Sequence, residues 1–227
     1  MKKTVFMIMM LLIISFTLLS CQQKVVHNTK AIQLFNGKDL SGWYTFTRAQ
    51  GVNVDTAGIF TVQDGMLRIL GKDFGYICTK EEYANYTLTV EFKWGEEKFV
   101  PEGSERNSGI LYNFPKDSTD RTWPYAVECQ LMHGNMGDYV LMGPSMIING
   151  EQGGPEKRVF AHSKDAENPV GEWNTVQVIT TGDGSKHMVN GELVNQGTAL
   201  NVHKGKILIQ SEGAELFVRK VELVPNM

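Results

Sequence analysis

Acidic and amide side chains alternate with apolar ones in a segment near the middle of the chain. Val127, Cys129 and Leu131 alternate there with Glu128 and Gln130, and successive side chains of a strand point to opposite faces. A carboxylate and an amide on one face suit a sugar cleft, because both bind hydroxyl groups and the acid can transfer protons. A solvent-facing polar side of a sheet has the same pattern, so spacing alone does not separate the two interpretations.

Four further positions are candidates for a polar site. Glu91 and Lys93 share one face of a strand predicted over residues 87–94. Asn107 lies beside a glycine that would let a ligand come close. His133 follows the Glu128 strand and could titrate near neutrality, although a surface histidine fits as well.

Tryptophans are the candidate platforms for stacking a sugar ring. Trp43, Trp123 and Trp173 could each serve, although core packing is the default expectation for a single tryptophan. His187 lies in a predicted hairpin strand and is expected to be structural. The sequence has no Gly-x-Ser-x-Gly elbow, P-loop, dinucleotide glycine fingerprint or His-Glu-x-x-His motif.

The start of the chain has the pattern of an export signal. Lys2 and Lys3 precede an uncharged apolar run that ends in Leu-Leu-Ser-Cys, and the run is shorter than the roughly twenty residues that span a membrane. The ending resembles the lipobox of bacterial lipoproteins. We therefore predict a signal peptide over 1–20, lipidation at Cys21 and a tether over 21–30. The lipid anchor would place the protein in the cell envelope, and the lack of an acidic cluster after Cys21 favours the periplasmic side of the outer membrane.

The remainder of the chain is expected to form one all-β domain over 31–227. Asp64-Gly65 and Asn190-Gly191 separate pairs of strand-like runs and predict two hairpins. Ten or more strands are expected and no convincing helix, with one helical turn conceivable at 80–84. Such a series of strands and turns predicts a sandwich or barrel.

Charge and cysteine content narrow the function further. The formal net charge is −3 and becomes more negative if Lys2 and Lys3 leave with the leader, so a nucleic-acid partner is not expected. Cys78 and Cys129 could form a disulfide in an exported protein, or remain as two buried thiols. No cysteine spacing typical of a metal site is present.

Six segments in order resemble the 3-keto-disaccharide hydrolase family, also called the 3-keto-glucoside 1,2-lyase/3-keto-2-hydroxy-glucal hydratase domain. The similarity covers nearly all of residues 31–225, and Arg219 matches the late arginine of the family. The matching segments are 34–43, 107–110, 125–131, 171–174, 187–191 and 205–213. The resemblance implies a concanavalin A-like jelly roll, which is a two-sheet antiparallel sandwich with a concave carbohydrate face.

What the resemblance implies for function is cleavage of a glycoside already oxidised at C3. The ketone acidifies the C2 hydrogen, a base removes that proton, the C1 substituent leaves, and water can add to the 2-hydroxy-3-keto-glucal. Such chemistry needs a base, an acid and donors for the enolate oxygen.

The resemblance also suggests which residues carry out this chemistry. Glu128 is expected to act as base or acid, with Glu91 or His133 as its partner. The mechanism requires no cofactor, although a divalent cation could replace Lys93 as the electrophile. The residues expected to bind substrate are Lys93, Asn107, Gln130, Arg219 and Trp123.

Two other functions remain open from the sequence. A conventional glycosidase on the same fold would use paired carboxylates, but the segment 128–133 contains only one acid. A non-catalytic lectin-like module would bind glycans for another enzyme. Oligomeric state, anomer and aglycone are not specified by these patterns.

Overall fold

The computed structural model describes residues 30–226. The predicted signal peptide, the lipidation site Cys21 and most of the tether lie outside the described residues. Within 30–226 the chain is all-β and contains no helix, so none is present there that could cross a membrane. Residues 80–84, where a helical turn was conceivable, form bends with an isolated bridge from Tyr83 to Gly205.

Two antiparallel sheets stack face to face, as in a jelly roll. The large sheet has ten strands in the order β12-β11-β16-β15-β14-β7-β18-β5-β4, with β1 paired to β18. Its strands are β1 (Ile32–Gln33), β4 (Phe60–Gln63), β5 (Met66–Ile69), β7 (Tyr86–Lys98), β11 (Met146–Ile148), β12 (Glu151–Gly153), β14 (Asn174–Thr181), β15 (Gly184–Val189), β16 (Glu192–Thr198) and β18 (Ala214–Pro225).

The small sheet has eight strands in the order β13-β10-β9-β8-β17-β6-β2-β3. Its strands are β2 (Trp43–Thr47), β3 (Gly51–Val52), β6 (Gly75–Thr79), β8 (Gly109–Phe114), β9 (Ala126–Gln130), β10 (Tyr139–Met142), β13 (Val159–Phe160) and β17 (Lys206–Ser211). The segment 143–171, which reads as irregular in the sequence, contributes the short strands β11, β12 and β13.

Both predicted hairpins are present, and the turn residues explain why. Asp64 and Gly65 have φ of 50° and 76°, and Asn190 and Gly191 have φ of 49° and 86°. Two consecutive positive φ values match the twist of the flanking strands, and Asx-Gly pairs adopt them at low cost. These turns join β4 to β5 and β15 to β16.

The main core lies between the sheets and is built by strict alternation. In β7, Leu88, Val90, Phe92 and Trp94 are buried in this core, whereas the residues between them are half-buried on the outer face of the large sheet. Trp43 belongs to the core as well and donates its indole N–H to the carbonyl of Leu34 at 2.6 Å.

A second cluster covers the outer face of the small sheet. Its buried members are Tyr76, Cys78, Leu111, Phe114, Ala126 and Leu208. The loop 115–125 lies over this face, since Asp120 accepts hydrogen bonds from the hydroxyls of Tyr44 and Tyr76 at 2.8 and 2.6 Å. The loop therefore leaves only part of the outer face open to a ligand.

Within the described residues, Cys78 and Cys129 are buried free thiols. Cys129 packs in the core between the sheets, whereas Cys78 lies in the cluster on the opposite side of the small sheet. Burial raises the pKa of the Cys78 thiol to about 12. A disulfide between these two residues does not exist in this fold, which settles the alternative left open by the sequence.

Candidate functional site

A cavity of about 300 Å³ opens on the outer face of the small sheet, beside the loop that covers the rest of that face. Glu128 and Gln130 line it, as the alternation in β9 predicts, because Val127, Cys129 and Leu131 point into the main core. The other lining residues are Asn107, Trp123, Val140, Met142, Arg158, Val159 and Glu212.

Strand register explains how this cavity is assembled. Gln130 of β9 pairs with Gly109 of β8, and the Ser108 hydroxyl next to it donates to the carbonyl of Gln210 in β17 at 2.9 Å. Three adjacent strands thus present Gln130, Gly109 and Gln210 in one row of the outer face. Gly109 contributes no side chain to this row, and the side chains of Glu128 and Gln210 occupy the space that a Cβ atom would fill.

Gly109 sets the position of the Glu128 carboxyl group. A Cβ atom at Gly109 would overlap both Oε1 of Glu128 and Oε1 of Gln210, which lie on either side of it. Both side chains are 2% exposed. Because they are enclosed, neither could move aside freely, and glycine is required at this position for steric reasons.

Two buried acceptor atoms lie beside Gly109. Oε1 of Glu128 and Oε1 of Gln210 each lack a hydrogen-bond partner among the described residues. A buried acceptor without a donor costs about 1–3 kcal/mol. A proton on Glu128 or a donor from a ligand would reduce this cost.

The pKa of Glu128 is raised well above its ordinary value. Burial is the main cause, since a charged carboxylate would lose its hydration, and repulsion from Glu212 adds to it. Burial therefore favours the protonated, neutral form of Glu128.

Glu212 is a second carboxyl group in the same cavity. It follows β17, and burial raises its pKa, while a hydrogen bond from the Trp123 indole N–H at 3.2 Å opposes that shift. Trp123 is 50% exposed, and its ring packs edge-on against Phe74 with centroids 6.2 Å apart. The tryptophan is thus held in place with half of its surface free.

Amide side chains complete the cavity with oriented polar groups. Oε1 of Gln130 accepts the backbone N–H groups of Leu131 and Met132, both at 2.9 Å. This leaves the Nε2 amide as a donor toward a ligand. Oδ1 of Asn107 is buried and has no partner among residues 30–226, so it is available to accept a hydrogen bond from a hydroxyl group.

Glu91, Lys93 and Arg219 do not line this cavity. They lie on the outer face of the large sheet, on the other side of the sandwich, because Glu91 and Lys93 alternate with core residues of β7. Arg219 donates to Glu91 at 2.7 Å, and Arg219 and Lys93 both stack on the ring of Trp173. The expectation that Glu91 and Arg219 converge with Glu128 does not hold, because alternation specifies a face of a strand but not which sheet contains the strand.

His133 is also separated from the lining of the cavity. It pairs with Glu167, whose carboxylate accepts the backbone N–H of Gly134 at 3.0 Å. This ties the β9–β10 turn to the segment before β14. His187 is fully buried between Tyr112 and Tyr139, and burial lowers its pKa to about 3, so it is a neutral core residue, as expected.

Two polar residues of the cavity lining, Glu212 and Arg158, are not candidates in the sequence, and neither is Gln210 beside the cavity. Gln210 belongs to β17, Glu212 follows it and Arg158 precedes β13, and only the pairing of the strands brings these residues near Glu128. For the divalent cation considered above, the described residues contain no group of three His, Cys, Asp or Glu side chains that could hold it.

Comparisons with solved structures support the architecture. A candidate glycosyl hydrolase from Parabacteroides distasonis ATCC 8503 is similar with a TM-score of 0.59 and 23% identity, over 87% of this chain and 94% of that chain. A β-glucanase from Bacillus licheniformis is similar with a TM-score of 0.53 and 13% identity, over 87% and 98% of the two chains. A Bacillus subtilis protein with a galectin-like fold has a TM-score of 0.57 and 11% identity, over 86% and 94%.

At these levels of identity the structural neighbours establish the jelly-roll fold and nothing about the reaction. No curated protein gives a significant match. The family, in contrast, is defined by the sequence over most of its length. Residues 30–224 match the 3-keto-alpha-glucoside-1,2-lyase-like domain, and the chain belongs to that family.

Proposed function

We propose that the protein cleaves 3-keto-glycosides in the cavity that contains Glu128. Family membership and a fold shared with glycosyl hydrolases support a carbohydrate-active function. The observation that carries the specific proposal is that Glu128, which is 2% exposed, lines one cavity with a second carboxyl group, Glu212. Burial raises the pKa of both carboxyl groups, and that of Glu128 more strongly. Pairs of carboxyl groups whose environments separate their pKa values are suited to acid and base roles in one reaction.

The reaction is an elimination followed by hydration. A base removes the C2 proton of the 3-keto sugar, the electrons form the C1–C2 double bond, and the C1–O bond breaks. The leaving oxygen takes a proton from an acid, which yields a free alcohol and a 2-hydroxy-3-keto-glucal. Water then adds across the double bond, with its hydroxyl at C1 and its proton at C2, and gives the free 3-keto sugar.

Glu128 and Glu212 can take the two proton-transfer roles. Glu128, whose pKa burial raises more strongly, is assigned as the acid toward the leaving oxygen, whereas Glu212 is assigned as the base at C2. The Nε2 amide of Gln130 and the Arg158 guanidinium supply donors for the negative charge on the C3 oxygen. Oδ1 of Asn107 can accept from a sugar hydroxyl.

Conventional glycoside hydrolysis is the second candidate, and Glu212 is the observation that favours it. The segment 128–133 contains one acid, but the fold adds a second carboxyl group from the end of β17. Two carboxyl groups are what acid-catalysed displacement at C1 requires. The two reactions differ in their need for the ketone, because only elimination depends on an acidified C2 hydrogen.

The test compares a matched pair of substrates with the purified protein. Methyl 3-keto-α-glucoside and methyl α-glucoside differ only at C3. We expect methanol release and a 2-hydroxy-3-keto-glucal or 3-keto-glucose from the first, and no turnover of the second. Turnover of methyl α-glucoside at a similar rate would identify a conventional glycosidase, and binding without product from either would identify a lectin-like module.

Export and lipid anchoring remain predictions about residues 1–30. A cell-envelope location would give the protein access to glycosides outside the cytoplasm. The carbohydrate is the proposed partner, and the membrane is the proposed site of attachment through Cys21.

A further inference from the structure

A row of side chains on the small sheet continues from the cavity across the next strands. Glu212 follows β17, Phe74 precedes β6 and Arg48 follows β2, and these three strands are neighbours in the sheet. The pairs Ser211–Gly75 and Thr47–Gly75 are in register, and the backbone N–H of Arg48 donates to the Phe74 carbonyl at 2.7 Å. Glu212, Phe74 and Arg48 therefore lie side by side on one line across three strands.

Together with Trp123, the side chains on this line form a pair of aromatic rings with a cation beside them. The Trp123 ring stands edge-on to Phe74, and the Arg48 guanidinium lies over the ring of Phe74, 4.5 Å from its centroid. Arg48 is exposed and forms no ion pair with any carboxylate of residues 30–226. Neighbouring strands are about 4.8 Å apart, so the backbones of Phe74 and Arg48 lie roughly 5 and 10 Å from the backbone of Glu212.

We infer that the Trp123–Phe74–Arg48 line is the leaving-group subsite, and that it takes an aryl aglycone with an anionic substituent. The inference rests on the proposed function, since a sugar whose C1 lies between Glu128 and Glu212 can direct its C1 substituent along this line. Trp123, half of whose surface is exposed, offers a face on which a flat ring can stack, and Phe74 packs edge-on against Trp123. Arg48, whose guanidinium lies over Phe74, complements a carboxylate on the far edge of the aglycone ring.

The experiment measures the affinity of the Glu128→Gln protein, which removes turnover, by titration calorimetry. Three probes share the 3-keto-α-glucosyl unit and differ in the C1 substituent: methyl, 4-carbamoylphenyl and 4-carboxyphenyl. We expect the aryl probes to bind about three- to tenfold more tightly than the methyl probe. The carboxyphenyl probe should exceed its neutral carbamoyl counterpart by a further two- to fivefold.

Variants in the same background assign these preferences to residues. Phe74→Leu should remove part of the aryl preference and leave methyl binding the same. Trp123→Leu should remove most of the aryl preference. Arg48→Gln should remove only the preference for carboxylate over carbamoyl. Trp173→Phe and Arg219→Gln, which alter the same residue types on the other sheet, should leave all three affinities unchanged.

Equal binding of the methyl and aryl probes, or a loss that is the same for all probes in every variant, would overturn the subsite. If none of the three probes binds, the subsite is overturned as well. Failure of the proposed function is recognised separately, because it is decided by turnover of methyl 3-keto-α-glucoside by the unaltered protein. A protein that turns over this compound but shows no aryl preference has the activity without the subsite.

Discussion

The outer face of each sheet carries a candidate glutamate, and the two glutamates differ in burial and in hydrogen bonding. On the large sheet, Glu91 is paired with Arg219 at 2.7 Å, and both side chains are partly exposed. On the small sheet, Glu128 is 2% exposed and its Oε1 has no partner among the described residues. The charge of Glu91 is neutralised by Arg219, whereas the carboxyl group of Glu128 is enclosed and can exchange a proton with a ligand.

This difference shows what separates a structural acid from a candidate catalytic acid in this fold. In the sequence, Glu91 and Arg219 are candidate site residues just as Glu128 is. An exposed ion pair contributes only about 0–1 kcal/mol to stability. A buried carboxyl group left without a donor is costly, and such a group persists where a substrate completes its hydrogen bonds.

Replacing the two glutamates in turn should give the largest contrast between the faces. Glu128→Gln should reduce kcat/KM on methyl 3-keto-α-glucoside by at least about a hundredfold, because the amide cannot donate a proton to the leaving oxygen. Glu91→Gln should change it by less than about threefold. Steady-state kinetics of both variants measures the contrast, and similar losses in the two would remove Glu128 from its assigned role.

Alanine substitutions at two glycines should have a smaller effect on kcat/KM and test the position of the Glu128 carboxyl group. Gly109→Ala should lower kcat/KM about ten- to a hundredfold, because the added methyl group displaces the Glu128 carboxyl group from its position. Gly154→Ala is the matched control, since its Cβ would lie 3.7 Å from that of Ser145 in ordinary contact. If both variants retain full activity, the position of the Glu128 carboxyl group is not critical to the reaction.

Local features of the fold were predictable because their causes are local. The turns at Asp64-Gly65 and Asn190-Gly191 depend on two residues each, and the face on which Glu128 lies depends on its neighbours in β9. The two-sheet jelly roll that these elements and the family resemblance indicated is confirmed.

The composition of the site was only partly predictable, because it depends on pairing between distant strands. Glu212 reaches the cavity since β17 pairs with β8, a contact that joins residues about a hundred positions apart, such as Ser108 and Gln210. Nothing in the sequence near Glu212 indicates this pairing. The same limit explains why Glu91, on a correctly predicted strand, was grouped with Glu128 although its strand belongs to the other sheet.

The central claim is that burial keeps Glu128 protonated, and the pH dependence of stability tests it most directly. A carboxyl group whose pKa is raised in the folded state contributes stability that is fully present below its unfolded pKa, near 4.5. That stability is lost as the pH rises from there to the folded pKa, by up to about 1.4 kcal/mol per pH unit.

The measurement is the free energy of unfolding in urea between pH 5 and 9 for the unaltered protein, Glu128→Gln and the Glu91→Gln control. Glutamine cannot ionise, so the account predicts that Glu128→Gln gains stability relative to the unaltered protein as the pH rises, while Glu91→Gln does not. A constant difference between Glu128→Gln and the unaltered protein across this range would mean that Glu128 is already ionised, and would contradict the account.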